Sequence, residues 1–432
     1  MVGFLLVFFV GAIALVFLKV ITKTIVSISG VFVSLWTITL SFSFLGLYEM
    51  NPPNFYVVGL GIISIIVFAF FGCFYGRKTA TKPKSDLLND NFVDKPPLSK
   101  KPIIFILTAI AYAYAYPFLI KSITLIGTYG WSYLRVASGL ESYGTTAQRM
   151  VLQYFVQSLF IVTILVTCID LINKKVYAPS LIVSILDTII YAVLFGGRYI
   201  FLYWLVFIVF LLLCRKKGRT LSFLRRYKMI GLLLLLVVVA MAWLTIQRSS
   251  SSFVKSTYVY FCGSYSYLSY LIDNSVITDM HLLGLNQIGF VYNFVYSAIT
   301  ALFGVSYQGT NYLISSQTSQ MVNIGGTIAY NALGTCLESF ICDFGLYFAP
   351  IGLIVFSWCL NFFEYQYRIK KTPTWLGYYL IMVYVTVNTV FAYSFGSPGF
   401  LIVLILIPIF TWQNPFLKTR MSSKGLFLRK RA

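Results

Sequence analysis

Arg198 and Arg248 are the residues whose type and placement come nearest to chemistry in this sequence. Arg198 stands in Phe195-Gly196-Gly197-Arg198-Tyr199, between two apolar runs, and Arg248 closes another. Two glycines permit a tight turn and a close backbone approach, which would hold Arg198 at one mouth of a helix bundle. A guanidinium grips phosphate in a planar, bidentate way that an ammonium does not copy. Two of them at one depth suit an anionic ligand. The plainer reading is that both snorkel to an interface or hold lipid headgroups. Arg135 and Arg149 flank Glu141 in or beside a shorter loop and are further candidates for the same ligand.

Proton transfer has its own candidates. Glu338 and Asp343 both approach the apolar run that begins near Phe344. Five residues apart, they lie about 140° apart around an ideal helix and need not share a face. Asp343 equally fits the N-cap of a helix over 344–363. His281, the only histidine, is a candidate general base, although a lone loop histidine is more often incidental. The Tyr-rich stretch from Tyr258 to Tyr270, with Tyr260 and Tyr265 inside it, offers stacking faces for sugar rings or a simple aromatic belt. Asp187 sits inside an apolar run and must face a bundle interior, as a neutral hydrogen-bonding group or a functional one. There is no GxxxxGK[ST], HExxH or GxSxG with triad partners. One histidine makes a His-based metal site unexpected, and neither metal nor cofactor is expected.

These residues need elements to position them, and composition says which. Hydrophobic residues make up 59% of the 432 and charged residues 10%, with a mean hydropathy of +0.83. That is the balance of an integral membrane protein. Continuously apolar runs predict helices rather than a barrel, over roughly 2–18, 25–47, 55–75, 103–120, 150–172, 178–196, 199–214, 229–246, 344–363, 375–395 and 398–413. The fold class expected is thus all-α, a polytopic bundle of about eleven transmembrane helices. The chain divides into a three-helix segment (1–75), a linker (76–102), central helices (103–246), a large loop (247–343), and C-terminal helices with a basic tail (344–432). Of 33 basic residues, 27 fall in segments that share one side if those spans hold. The positive-inside rule makes that side cytoplasmic, with the N-terminus outside and the C-terminus inside. The net charge of +21 is then a topogenic signal with membrane lipids as its partner, and the scatter of basic residues disfavours nucleic acid. Residues 288–305 nearly suffice to span, but crossing alone they would invert the later basic clusters, so a re-entrant or interfacial helix is expected. Cys262, Cys336 and Cys342 fall in the large loop, where buried free thiols are expected.

Taken together, the Gly196-Gly197-Arg198 turn opening an apolar helix, the basic loop, the helix ending in Arg248, and the long loop closing in Leu337-Glu338-Ser339-Phe340-Ile341-Cys342-Asp343-Phe344-Gly345 resemble a known family. It is the Wzy-type oligosaccharide repeat-unit polymerases of bacterial O-antigen and capsule assembly, within the wider O-antigen polymerase and ligase group. The layout resembles it over most of the chain, the residues only at the Gly-Gly-Arg turn and the Asp-Phe-Gly helix entry. The resemblance implies a GT-C-like membrane glycosyltransferase of the inner membrane. It would act at the periplasmic face on oligosaccharides linked to undecaprenyl pyrophosphate, with a chain-length regulator and a flippase as pathway partners. It implies outer-face arginines on the anionic carrier. Arg198 and Arg248 fit the positive charge that a departing pyrophosphate needs, and Glu338, Asp343 or His281 the base that takes the acceptor proton. Arg135, Arg149, Tyr260 and Tyr265 are candidate substrate contacts. An O-antigen ligase and a lipid-linked oligosaccharide flippase or other transporter are the alternatives.

Overall fold

Each predicted apolar run contains a helix in the computed structural model, which describes residues 2–80, 97–137, 144–173, 177–214, 228–248, 252–305, 308–331 and 334–412. The helices are α1 (Val2–Thr22), α2 (Ile28–Ser43), α3 (Phe55–Ala80), α4 (Pro102–Ala137), α5 (Thr146–Ile172), α6 (Ala178–Phe195) and α7 (Tyr199–Leu213). They continue as α8 (Lys228–Arg248), α9 (Phe253–Asp273), α10 (Gly289–Phe303), α11 (Thr310–Thr318), α12 (Thr335–Lys370), α13 (Pro373–Asn388) and α14 (Pro398–Thr411). Among the described residues, seven helices are long and apolar enough to cross a membrane, namely α1, α3, α4, α5, α6, α8 and α12. Shorter apolar helices accompany them, and the architecture is an all-α membrane bundle.

Packing divides the bundle in two. The helices α1, α2, α3 and α12 pack on one another, and so do α5, α6, α7 and α14, with α13 touching both groups. Lys19, Arg77, Lys78, Arg368 and Lys370 occupy the last turns of α1, α3 and α12, which marks one end of the bundle as the basic end. There the Glu364 carboxylate pairs with Arg368 and accepts from the Ile28 N–H at 2.7 Å, tying α12 to the start of α2. Asp187 is fully buried on α6 and takes a 2.7 Å hydrogen bond from Tyr112 on α4. The seven cysteines are free thiols, buried or half-buried.

The large loop is built of helices. Helix α9 carries hydroxyls every few residues and lies against the segment between α2 and α3. Ser266 donates to the Asn51 carbonyl, Ser269 accepts from the Asn54 N–H, and Asp273 accepts from the Asn54 amide. A two-stranded hairpin, β1 (Val322–Asn323) with β2 (Ala329–Tyr330), joins the same segment through the Asn51 N–H. Helix α10 packs on α14, and its Asn293 holds both the Gly396 carbonyl and the Thr310 backbone N–H.

The expected helix entry at 344 lies elsewhere. Helix α12 begins at Thr335 and turns sharply at Gly345, whose φ of 72° and ψ of 173° suit glycine almost alone. Its short arm, 335–344, folds back along the long arm: Phe340 and Phe344 both crowd Gly352, and the Phe340 and Phe356 rings lie 5.7 Å apart. The Cys336 N–H donates to the Thr389 carbonyl, while Trp36 from the middle of α2 donates to the Thr389 hydroxyl. The short arm therefore starts level with the middle of α2, deep inside the bundle. Asp343 consequently does not cap a helix start. Its carboxylate accepts from the Asn286 N–H at 3.0 Å and from the Gln287 amide at 3.2 Å, pinning the loop 282–287 onto the kink.

Candidate functional site

The short arm of α12 delivers Glu338 to a cavity of about 450 Å³. Helices α5 and α6, helix α11, the short arm and the 392–398 link between α13 and α14 wall this cavity at the end away from the basic clusters. From α5 come Gln153, Tyr154 and Gln157, around a π-helical turn at Val151–Val156. A π-turn re-aims side chains that an α-helix would send elsewhere, and such turns recur at functional sites. Gln157 donates to the Tyr191 hydroxyl at 3.2 Å, and Tyr154 exchanges a hydrogen bond with Ser297 at 3.1 Å. Glu338 accepts from the Gly334 N–H at 3.0 Å, and the Thr318 hydroxyl lies in hydrogen-bonding reach. The residue that starts this arm, Thr335, holds φ at +64°, a costly conformation for a β-branched side chain. Strain of that kind persists where surrounding structure enforces it, and it clusters at functional sites.

Arg198 stands just behind one wall of this cavity. Gly196 ends α6 at φ +53°, and a Cβ at Gly197 would meet the Tyr191 ring at 3.0 Å, so both glycines of the turn have a structural reason. Arg198 is half-buried, donates to Thr245 on α8 at 2.7 Å, and lies 5.2 Å from the Tyr260 ring centroid on α9. Tyr260 donates to the Tyr199 hydroxyl at 3.1 Å, and its ring lies 4.6 Å from that of Phe391. Three connections join this group to the Glu338 cavity. Tyr191 and Phe195 line the cavity and lead directly into the Arg198 turn, while Phe391 precedes Ala392, another lining residue. The third is Tyr330, whose phenol is raised by burial and then by its neighbours Tyr260, Tyr267, Cys262 and Glu338. Its buried hydroxyl has no hydrogen-bond partner.

The other expected site residues are dispersed. Tyr265 is 0% exposed, with its hydroxyl 2.7 Å from Thr39 and its ring edge-on to Trp36, so it presents no face for a sugar. The run of tyrosines in the sequence hid this, because it does not say which side of α9 faces α2. His281 is exposed at the kink, with Cε1 3.3 Å from where a Gly345 Cβ would stand, and lies outside the cavity. Arg149 sits one turn before Gln153 on α5 and reaches the Thr146 hydroxyl at 3.4 Å. Arg135 and Arg248 occur in helical backbone, at the ends of α4 and α8, and their side chains lie outside the described residues. Glu141, the bulk of the 76–102 linker, the basic 215–227 segment and the C-terminal tail also lie outside them.

Sequence reasoning passed over Gln153, Gln157, Asn286 and Tyr393. Two glutamines four residues apart inside an apolar run were the available signal, since such a pair puts amides on one helix face. Chemically, the arrangement joins a half-buried guanidinium to an aromatic- and amide-lined cavity holding one carboxylate. The first can hold or stabilise an anion, and the second can bind a hydroxyl-rich molecule and accept its proton. Comparison of the chain with protein-family models, curated proteins and solved structures gave no match.

Proposed function

We propose that this protein is a membrane glycosyltransferase of the oligosaccharide repeat-unit polymerase type. The observation that carries the reading is the placement of Arg198 behind the Tyr191 and Phe195 wall of the cavity that contains Glu338. A lipid-linked saccharide has two chemically different parts, an anionic pyrophosphate at a membrane surface and an uncharged or weakly charged glycan. The site has one station for each. The hydroxyl of an acceptor unit attacks the anomeric carbon of the donor sugar, and its proton passes to the Glu338 carboxylate. The anomeric C–O bond breaks, and the undecaprenyl pyrophosphate leaves with the electron pair. Arg198, braced by Thr245 and Tyr260, holds the charge that develops on that leaving group.

The remaining assignments follow from this reading. Eleven helices cross the inner membrane of a bacterial cell with the N-terminus outside, and helices α9 to α11 form a periplasmic cover of GT-C-like kind, beneath which the short arm of α12 re-enters the bundle. A flippase supplies the lipid-linked units from the cytoplasmic face, and a chain-length regulator acts beside the polymerase.

Arg198→Ala and Glu338→Gln test the proposal in the native host. Each removes an electrostatic or proton-transfer contribution of about 10²–10⁴-fold. The expected outcome is a membrane-inserted protein and single-repeat surface glycans without long chains. Normal chain lengths in both variants would sink the site. Loss of single-repeat glycans as well would point to a flippase.

A further inference from the structure

The lining of the Glu338 cavity names the class of sugar it accepts. Gln153, Gln157, Asn286 and Ser315 supply amide and hydroxyl groups, and Tyr154 and Tyr191 supply aromatic rings. Neutral sugars need both kinds of surface: hydrogen-bond donors and acceptors for their hydroxyls, and apolar faces for their C–H edges. Among the described residues that line the cavity, Glu338 is the one charged side chain, and none is Lys, Arg or His. Glu338 is buried, and it accepts from the Gly334 N–H and from Thr318. The guanidinium of Arg198 is directed to Thr245 and Tyr260, behind the Tyr191 and Phe195 wall. A sugar carboxylate entering this space would meet the Glu338 carboxylate, once ionised, and among the described lining residues no cation faces it, so like-charge repulsion works against an acidic sugar.

We infer that the cavity binds an uncharged sugar residue, a hexose or N-acetylhexosamine, and rejects an acidic one, with Glu338 as the discriminating side chain. The inference rests on reading the cavity as the saccharide station of the proposed polymerase, but its test reads binding and not chain growth. A cavity of about 450 Å³ lies in the range of small-molecule sites and holds a short piece of glycan rather than a whole chain.

The experiment titrates purified protein in nanodiscs, at pH 8.5, with matched pairs of oligosaccharides. Each pair differs only by a hexose against the corresponding hexuronate (cellobiose against cellobiouronic acid, for example), and calorimetry or saturation-transfer NMR reports binding. At least tenfold preference for the neutral member is expected, falling to less than twofold in Glu338→Gln. Gln157→Ala should weaken the neutral member at least fivefold, which places the signal in the cavity. Equal binding of both members, tighter binding of the uronate, or no binding by any pair at millimolar concentration overturns the inference. A preference unchanged in Glu338→Gln also overturns it. Failure of the polymerase reading looks different: discrimination persists in the binding assay while Arg198→Ala leaves chain length in the host unaltered.

Discussion

At the scale of single residues, hydroxyls that look alike in the sequence differ in what they meet. Tyr265 and Tyr330 are both buried, but Tyr265 has Thr39 at 2.7 Å whereas the Tyr330 hydroxyl has no partner. A net hydrogen bond contributes roughly 0.5–1.5 kcal/mol, and a polar group buried without one is a cost that an isosteric apolar group removes. Tyr265→Phe should therefore lower the thermal unfolding midpoint in detergent, while Tyr330→Phe should leave it unchanged or raise it. A drop for Tyr330→Phe equal to that of Tyr265→Phe would mean that Tyr330 has a partner of its own. The same contrast explains what the sequence disclosed about the site. Arg198 was legible because Gly-Gly-Arg between two apolar runs is a local pattern, and its turn is made by local backbone geometry. The pairing of Arg198 with Tyr260 was not, because it depends on which face α9 turns toward α7 and α8. Gln153 and Gln157 look like stray polar residues until the packing of α5 places both in the cavity wall.

At the scale of elements, Gly345 decides where the site lies. Continuous apolar runs located the membrane-length helices, because a membrane helix carries apolar surface over its full length, but not the polar-rich α9 and α11 of the large loop. The short arm escaped as well, since 335–344 is mixed in character and is buried by folding back on its own continuation. Only a backbone with positive φ at 345 allows that reversal, and a Cβ there would also press on His281 at 3.3 Å. Gly345→Ala should cost about 1–3 kcal/mol of backbone strain and displace the short arm that carries Glu338. The measurable result is a lowered unfolding midpoint together with loss of sugar binding in an inserted protein. Asp343→Ala attacks the same kink from the other side. It leaves the Asn286 N–H without its acceptor, a loss of roughly 1–3 kcal/mol for a buried donor, and it should loosen Asn286 from the cavity wall. If both variants retain wild-type midpoints, the kink is not what fixes the arm.

At the scale of the whole molecule, the question is which elements sit on one side of a membrane. Helix α10 has 15 residues, a length of about 22 Å at 1.5 Å per residue. The chain that leaves it at Phe303 reaches Thr310 in seven residues, at most about 25 Å of extended backbone. Thr310 then hydrogen-bonds Asn293 in the second turn of α10 and Asn286 just before its start. The chain thus comes back to where α10 began, and α10 makes no net crossing. Charge parity demands the same, because a net crossing would move Arg368, Lys370 and Lys371 to the side opposite the other basic clusters. Ser252, before α9, and Tyr312, on α11, are both exposed and should therefore share one side, with Lys371 on the other. Cysteines placed singly at those three positions test this in intact cells with a membrane-impermeant maleimide, because the native thiols are buried or half-buried. Ser252→Cys and Tyr312→Cys should label in intact cells, and Lys371→Cys only after the membrane is opened. Labelling of Ser252→Cys without Tyr312→Cys would make α10 a crossing helix and reverse the sidedness of everything after it, including the long arm of α12. Labelling of Lys371→Cys alone in intact cells would invert the whole molecule and place the Glu338 cavity at the cytoplasmic face, where a periplasmic polymerase could not use it.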